Sequence, residues 1–503
     1  MKDLDRGKGR RDELVVVLHG YSGGAERMAA VRETIREDWP GADIYAPVFP
    51  FGKWRLSCQR AATIVADQIK IIDELVAERK QSGSGYKDIT LVGYSFSAAL
   101  ARKIAIIAYG EQSSTNGERP APFELEFRHF KMPRTWAKLI KRIVLLAGIN
   151  RGWSVSSAMD WTTTVKWSAM QLLGETVLRG KPTLFEIRKG APFLVHTRLQ
   201  WLALMNPEYR SPGQQPERPD IVVVQLLGTG DDLVSPDDTV DYSVDLFKEQ
   251  SGVMVRPSYF YIEVKHSTHH NVIDMAKAGT TQTKRARAER RRKFLLALKE
   301  DPAILAHKTI SIPREHMADN LPPPPDPDVT HVVFVIHGIR DKGFWTQKMA
   351  RRIKELGEKN GQKFASWTES YGYFAMAPFI FDTVRQRKVE WMMDRYAEAR
   401  ARYPKAKFHY VGHSNGTYLA AKALLDYPAA RFERVVFAGS VVRRDWWPSF
   451  IQRNPDAPRV KLLNYVATRD WVVALFPKGV QPWRRFELGS AGHDGFDPAS
   501  DGG

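Results

Sequence analysis

Cysteine is nearly absent. In 503 residues only Cys58 occurs, which excludes an intramolecular disulfide framework and a cysteine-built zinc site. Long apolar runs are absent too. Runs such as Leu14–Leu18 and Ile143–Leu146 have strand length and fall well short of the roughly 18 residues that a membrane-spanning helix needs. The opening stretch MKDLDRGKGRRDE carries no apolar segment of the secretory-signal kind. A cytoplasmic protein without a membrane span is the expectation. No CxxC pair, HExxH helix or glycine-rich phosphate loop occurs, so zinc-enzyme and nucleotide-hydrolysing chemistries have no motif behind them. Neither a metal nor a cofactor is expected.

What the chain has in excess is positive charge: 75 Lys and Arg against 57 Asp and Glu, a formal +18. That balance favours anionic partners. The charge is densest from Lys284 to Lys293, KRARAERRRK. As a helix this run would offer a basic face to an anionic membrane, while a solvated surface helix is the plainer account. Peripheral membrane contact is retained as an expectation, and nucleic acid is not expected.

One repeat runs through the chain at domain scale. Residues 14–20 read LVVVLHG and 332–338 read VVFVIHG; later, 89–97 read ITLVGYSFS and 408–416 read FHYVGHSNG. Each is an uninterrupted, β-branched run, as parallel strands buried on both faces require. Each second run enters a tight Gly-x-Ser turn followed by a helical segment. His19 to Ser95 spans 76 residues and His337 to Ser414 spans 77, so motif, order and spacing all recur. Between the halves stand four prolines, Pro322–Pro325, which fit neither a helix nor a central strand. Residues 1–300 are therefore expected as one domain, 301–330 as a Pro-rich linker and 331–503 as a second, more compact domain. The first half has about 70 residues between its strands at 142–150 and 221–232, against about 20 between the matching strands of the second half; they hold Trp153, Trp161, Trp167 and Trp201, with apolar positions at roughly helical spacing. A helical cap over about 150–220 is expected, its tryptophans packing residues before substrate contacts.

A serine on such a turn is exposed and strained, and its neighbours two positions away must be small. Gly412-His413-Ser414-Asn415-Gly416 meets this fully, whereas Gly93-Tyr94-Ser95-Phe96-Ser97 has Ser in place of the second Gly. A hydroxyl needs a base, and the base an orienting acid. Asp231 follows strand IVVVQLLG and Asp470 follows KLLNYVAT, both within Asp-x-x-Val; this register selects Asp231 over Asp232, with helix capping as the bland alternative. Aligning STHHNVID (267–274) with SAGHDGFD (490–497) sets His270 opposite His493, leaving His269 and His266 as alternatives. The oxyanion donors expected are the backbone N–H groups of Phe96 and Tyr21 in the first half, and of Asn415 and Ile339 in the second. His19 and His337 read as structural.

Both halves resemble the α/β-hydrolase superfamily, lipase and esterase branch. The resemblance rests on His19-Gly20, Gly93-x-Ser95, Asp231 and His270, and on His337-Gly338, Gly412-x-Ser414-x-Gly416, Asp470 and His493. It covers residues 12–280 and 330–497. It implies two tandem α/β domains, mostly parallel sheets with flanking helices, and a helical cap in the first. It further implies hydrolysis of a carboxylic ester, with an acyl-ester or lipid substrate, through an acyl-enzyme. Amidase, thioesterase and peptidase chemistry share this machinery. One catalytic domain beside a binding or scaffolding domain remains the competing account.

Overall fold

Runs rich in Val, Ile and Leu form the strands Glu13–Leu18, Asp88–Tyr94, Ile140–Leu146 and Val222–Gly228, with most side chains on both faces buried, whereas Lys461–Tyr465 alternates exposed and half-buried residues. The computed structural model describes residues 3–8, 12–21, 24–49, 59–112, 121–153, 183–205, 219–239, 259–277, 280–309, 326–338, 344–368, 382–453, 460–468 and 487–498. The chain divides into two units, Met1–Pro324 and Pro325–Gly503.

The first unit has strands β1 Leu4–Asp5, β2 Glu13–Leu18, β3 Asp43–Tyr45, β4 Asp88–Tyr94, β5 Ile140–Leu146, β6 Val222–Gly228 and β7 Tyr259–Val264. They form one sheet in the order β1-β3-β2-β4-β5-β6-β7. Only β1 runs antiparallel to its neighbour. Its helices include α1 Ala29–Asp38, α2 Ala61–Gln81, α3 Ser97–Tyr109, α4 Pro192–Met205, α5 Thr281–Lys299 and α6 Pro302–Lys308. In α2 the buried Ile64, Val65, Ile69, Ile72 and Leu75 recur at helical spacing. By contrast α3 is buried on every side from Ser97 to Ala108, since it packs against β4, α2 and α4.

The second unit has β8 His331–Ile336, β9 Phe364–Trp367, β10 Lys407–His413, β11 Arg434–Ala438 and β12 Lys461–Tyr465, in the order β12-β11-β10-β8-β9 and all parallel. Its helices include α7 Phe344–Lys359, α8 Asp382–Arg402, α9 Asn415–Asp426 and α10 Trp446–Arg453. Both sheets thus place the strand that ends in Gly-x-Ser at the centre, β4 between β2 and β5, and β10 between β8 and β11. In open parallel sheets the C-terminal ends of such strands are where sites form. The architecture is α/β with mostly parallel sheets.

Two expectations are modified. Within the expected 301–330 linker, residues 302–308 are helical, with Pro302 in the first turn and Leu305 fully buried. Residues 326–330 join the second unit, where Asp326 N–H donates to Arg402 O at 2.8 Å; Pro322–Pro325 lie outside the described residues. Among the described residues, no helix is long and apolar enough to cross a membrane.

Candidate active site

Ser95 stands between β4 and α3 at φ +55°, in the left-handed region that a side chain rarely enters. The turn is held because Ser95 N–H still donates to Leu146 O of β5 at 2.9 Å while Ser95 O accepts from Ala98 N–H at 3.1 Å. A Cβ on Gly93 would come within 2.5 Å of Ser97 O, so glycine is required there. The departure at Ser97 has a physical account. Its hydroxyl is buried and donates to His19 O at 2.5 Å, tying the elbow to the end of β2. In the second unit the matching Gly416 has no such room, since a Cβ would lie 2.5 Å from Ile336 O.

The ring of His269 joins the other two members. In the Nδ1–H tautomer it donates to Asp231 Oδ2 at 3.2 Å, and its Nε2 accepts from Ser95 Oγ at 3.0 Å. All three are covered: Ser95 is 8% exposed, His269 5%, and the Asp231 side chain 1%. Asp231 uses its second oxygen for the turn itself, with Oδ1 accepting from Leu233 N–H at 3.0 Å and Val234 N–H at 2.9 Å. Helix-style capping and the orienting of a histidine are therefore one arrangement, not rival ones. Asp232 is exposed.

The histidine expected from the alignment with His493 needs correction. His270 is exposed and stands edge-on to His269, ring centroids 5.7 Å apart. Burial first, then the neighbouring His269, push its pKa down. His269 is the residue turned inward because Tyr94 OH donates to its carbonyl at 2.9 Å, while the Tyr94 ring lies against its imidazole at 5.5 Å. Burial raises the Tyr94 hydroxyl to about 12, which keeps it a proton donor. Nothing in the sequence singled out Tyr94. His266 is exposed at φ +52°, and among the described residues no hydrogen bond joins it to Ser95.

His19 is structural. Its Nδ1 donates to Gly20 O at 2.8 Å, its Nε2 accepts from Phe49 N–H at 2.8 Å, and burial lowers its pKa, so it stays neutral. Gly20 is pressed against Ser95, where a Cβ would lie 3.0 Å from Ser95 Cβ. Phe96 caps the N-terminus of α3, where backbone N–H groups favour negative charge.

The second unit repeats part of this. Ser414 has φ +51° and ψ −119°, its N–H donates to Ala438 O at 3.0 Å, and a Cβ on Gly338 would lie 2.8 Å from Ser414 Cβ. His337 is buried with Nδ1 donating to Gly338 O at 2.7 Å, and Asn415 is buried at the start of α9. His493, however, bonds through Nδ1 to Asp494 Oδ1 at 2.7 Å. Among the described residues no hydrogen bond joins Ser414 to His493. Asp470 and Ile339 lie outside the described residues. Shortly before His493, a single antiparallel bridge joins Leu488 to Val442.

Of the expected cap, 154–182 and 206–218, with Trp161 and Trp167, lie outside the described residues. The helix α4 within it is buried from Phe193 to Met205 and packs on α3. Trp201 is covered, with the Arg102 guanidinium 4.8 Å from its ring, and Trp153 Nε1 donates to Leu233 O at 2.8 Å beside Asp231. Both pack or orient, as expected of such residues. The basic run does form a helix, α5, yet several of its charges turn inward. Arg287 Nε donates to Asp274 Oδ2 at 2.8 Å, Arg291 pairs with Glu37, and Arg290 is 5% exposed. Lys284 and Arg285 remain exposed.

No family model and no curated protein matches the chain. Among solved structures, it is similar to a bromoperoxidase from Bacillus anthracis, with 13% identity and TM-score 0.31 over 59% of this chain and 95% of that one. It is similar to a lipase-esterase related protein from Clostridium acetobutylicum, with 13% identity and TM-score 0.29 over 57% and 98%. It is likewise similar to the esterase Est2 from Thermogutta terrifontis, with 15% identity and TM-score 0.32 over 59% of this chain and 88% of that one.

Proposed function

We propose that the first unit is a serine hydrolase of carboxylic esters. The observation that carries this reading is the single imidazole of His269, 3.0 Å from Ser95 Oγ on one side and 3.2 Å from Asp231 Oδ2 on the other. Ser95 Oγ attacks the acyl carbon as its proton passes to His269 Nε2, and Asp231 holds the ring and stabilises the imidazolium that forms. The backbone N–H groups of Phe96 and Tyr21 would hold the oxyanion. Collapse expels the alcohol, protonated by His269, and leaves an acyl-Ser95. Water, deprotonated by the same histidine, then releases the acid and restores the serine. The substrate class is an acyl ester or lipid, and the chain's own residues suffice for each step.

The test is hydrolysis of p-nitrophenyl esters of increasing acyl length by wild type and Ser95→Ala, beside matched anilide and thioester probes. Ester turnover lost in Ser95→Ala supports the reading; turnover of the anilide alone moves the assignment to an amidase, and ester turnover that survives in Ser95→Ala contradicts it. A second reading, with the second unit as a non-catalytic partner, is favoured by the pairing of His493 with Asp494. Under it, Ser414→Ala leaves ester turnover unchanged.

A further inference from the structure

We propose that Arg290, inside the stretch whose composition suggests a membrane-facing surface, is a positioning residue for the base of the first unit. The proposal rests on reading Ser95, His269 and Asp231 as a triad. Arg290 sits on α5 with its side chain 6% exposed, and α5 is anchored on β6 and β7 by the buried Phe294, Ala297 and Leu298. The guanidinium brackets the histidine loop. Its Nη2 donates to His266 O at 3.0 Å, its Nε to Ser267 Oγ at 2.8 Å, and its Nη1 to Asp274 O at 3.3 Å. Three of its donors therefore fix the chain on both sides of His269.

The loop needs such a clamp. His266 is held at φ +52°, a conformation that costs a non-glycine residue free energy. The bracketed Ser267 also accepts through its carbonyl from Gly230 N–H at 2.9 Å, next to Asp231. A Cβ on Gly228 would lie 2.1 Å from that carbonyl, so the two loops meet with no slack. One planar fork thus sets the histidine loop against the acid's turn, a geometry that lysine's single ammonium cannot copy.

Displacing a base by about 1 Å costs on the order of 100-fold in rate. The experiment compares wild type, Arg290→Gln, Arg290→Lys, Arg290→Ala and Ser267→Ala, with the exposed Arg285→Gln as control. It reads p-nitrophenyl acetate kinetics, their pH profile, and fluorophosphonate labelling of Ser95. In Arg290→Gln, kcat should fall about 10- to 100-fold with KM held within roughly twofold, and the acid limb of the profile should move. Guanidinium ion added to Arg290→Ala should restore part of the rate, and Arg285→Gln should match wild type. Where Arg290→Gln fails to fold, Arg290→Lys and Ser267→Ala carry the test, each expected to lose kcat and not KM. A folded Arg290 variant with wild-type kcat, or Ser267→Ala and Arg290→Lys both at wild-type kcat, overturns the proposal. Absence of labelling at Ser95 in the wild type would instead overturn the triad reading beneath it.

Discussion

Replacing Lys103 with Met should turn a silent carboxylate into a pH-dependent weakness. Lys103 lies on α3, two turns beyond Ser95, with its side chain 0% exposed. Its Nζ donates to Glu124 Oε1 at 2.6 Å, to Glu124 Oε2 at 2.9 Å and to Gln200 Oε1 at 2.5 Å. Burial alone would push the Glu124 carboxyl up, but Lys103, His196 and Gln200 hold it well below the usual carboxylate range. With methionine in place of the cation, burial prevails and the carboxyl must take up a proton to stay inside. From its ordinary value of 4.5, protonation at pH 7 spans about 2.5 pH units and costs about 3.4 kcal/mol. That falls within the ~3–5 kcal/mol lost when one partner of a buried pair is removed.

The sign follows from proton counting. The folded variant binds one proton more than the unfolded chain above pH 4.5, so its stability falls by about 1.4 kcal/mol per pH unit. In the wild type Glu124 is ionised in both states there and adds no slope; its stabilisation is lost only as pH falls through the unfolded value towards the depressed folded one. Urea denaturation of both proteins at pH 5.5 and 7.5 should show the gap between them widening by about 2.7 kcal/mol. Lys103→Met/Glu124→Gln should remove that slope. A gap of equal size at both pH values would refute the reasoning, since a buried carboxylate that has lost its lysine cannot be indifferent to pH.

Other outcomes follow from the same geometry. His269→Gln should lower kcat for ester hydrolysis by roughly 10,000-fold while His270→Gln stays within about tenfold, a contrast that steady-state kinetics at pH 8 resolves. In the second unit, burial and the stacked His331 ring 5.3 Å away push His409 down to about 4. The unfolded chain then binds the extra proton, so this unit should lose stability as pH falls from the ordinary histidine value towards 4. Thermal unfolding at pH 5 and 7.5 should show that His409→Gln reduces the difference.

The first sheet was legible because β2, β4, β5 and β6 each hold a largely apolar run that is buried on both faces. The two elbows were legible because a strand and a helix flank each Gly-x-Ser. What sequence could not decide was which of two adjacent histidines faces inward. Aligning Ser267 with Ser490 assumes equal loops, yet the first loop turns through a left-handed His266 and the second ends in a one-turn helix, Ala491–Asp494. The choice of His269 depends on the Tyr94 hydroxyl, which comes from a residue 175 positions away. Arg290 was hidden for the opposite reason. Composition shows a dense basic run, and only packing distinguishes the arginine turned into the loop from those facing solvent.

The central claim is that Ser95 is activated by His269. The most direct measurement is mapping by mass spectrometry of the residue that a fluorophosphonate probe modifies in wild type, Ser95→Ala, His269→Gln and Ser414→Ala. An adduct should form on Ser95 in wild type and Ser414→Ala, and none at that site in Ser95→Ala or His269→Gln. A folded wild-type protein that carries no adduct on Ser95, or a His269→Gln variant labelled there at the wild-type rate, would contradict it.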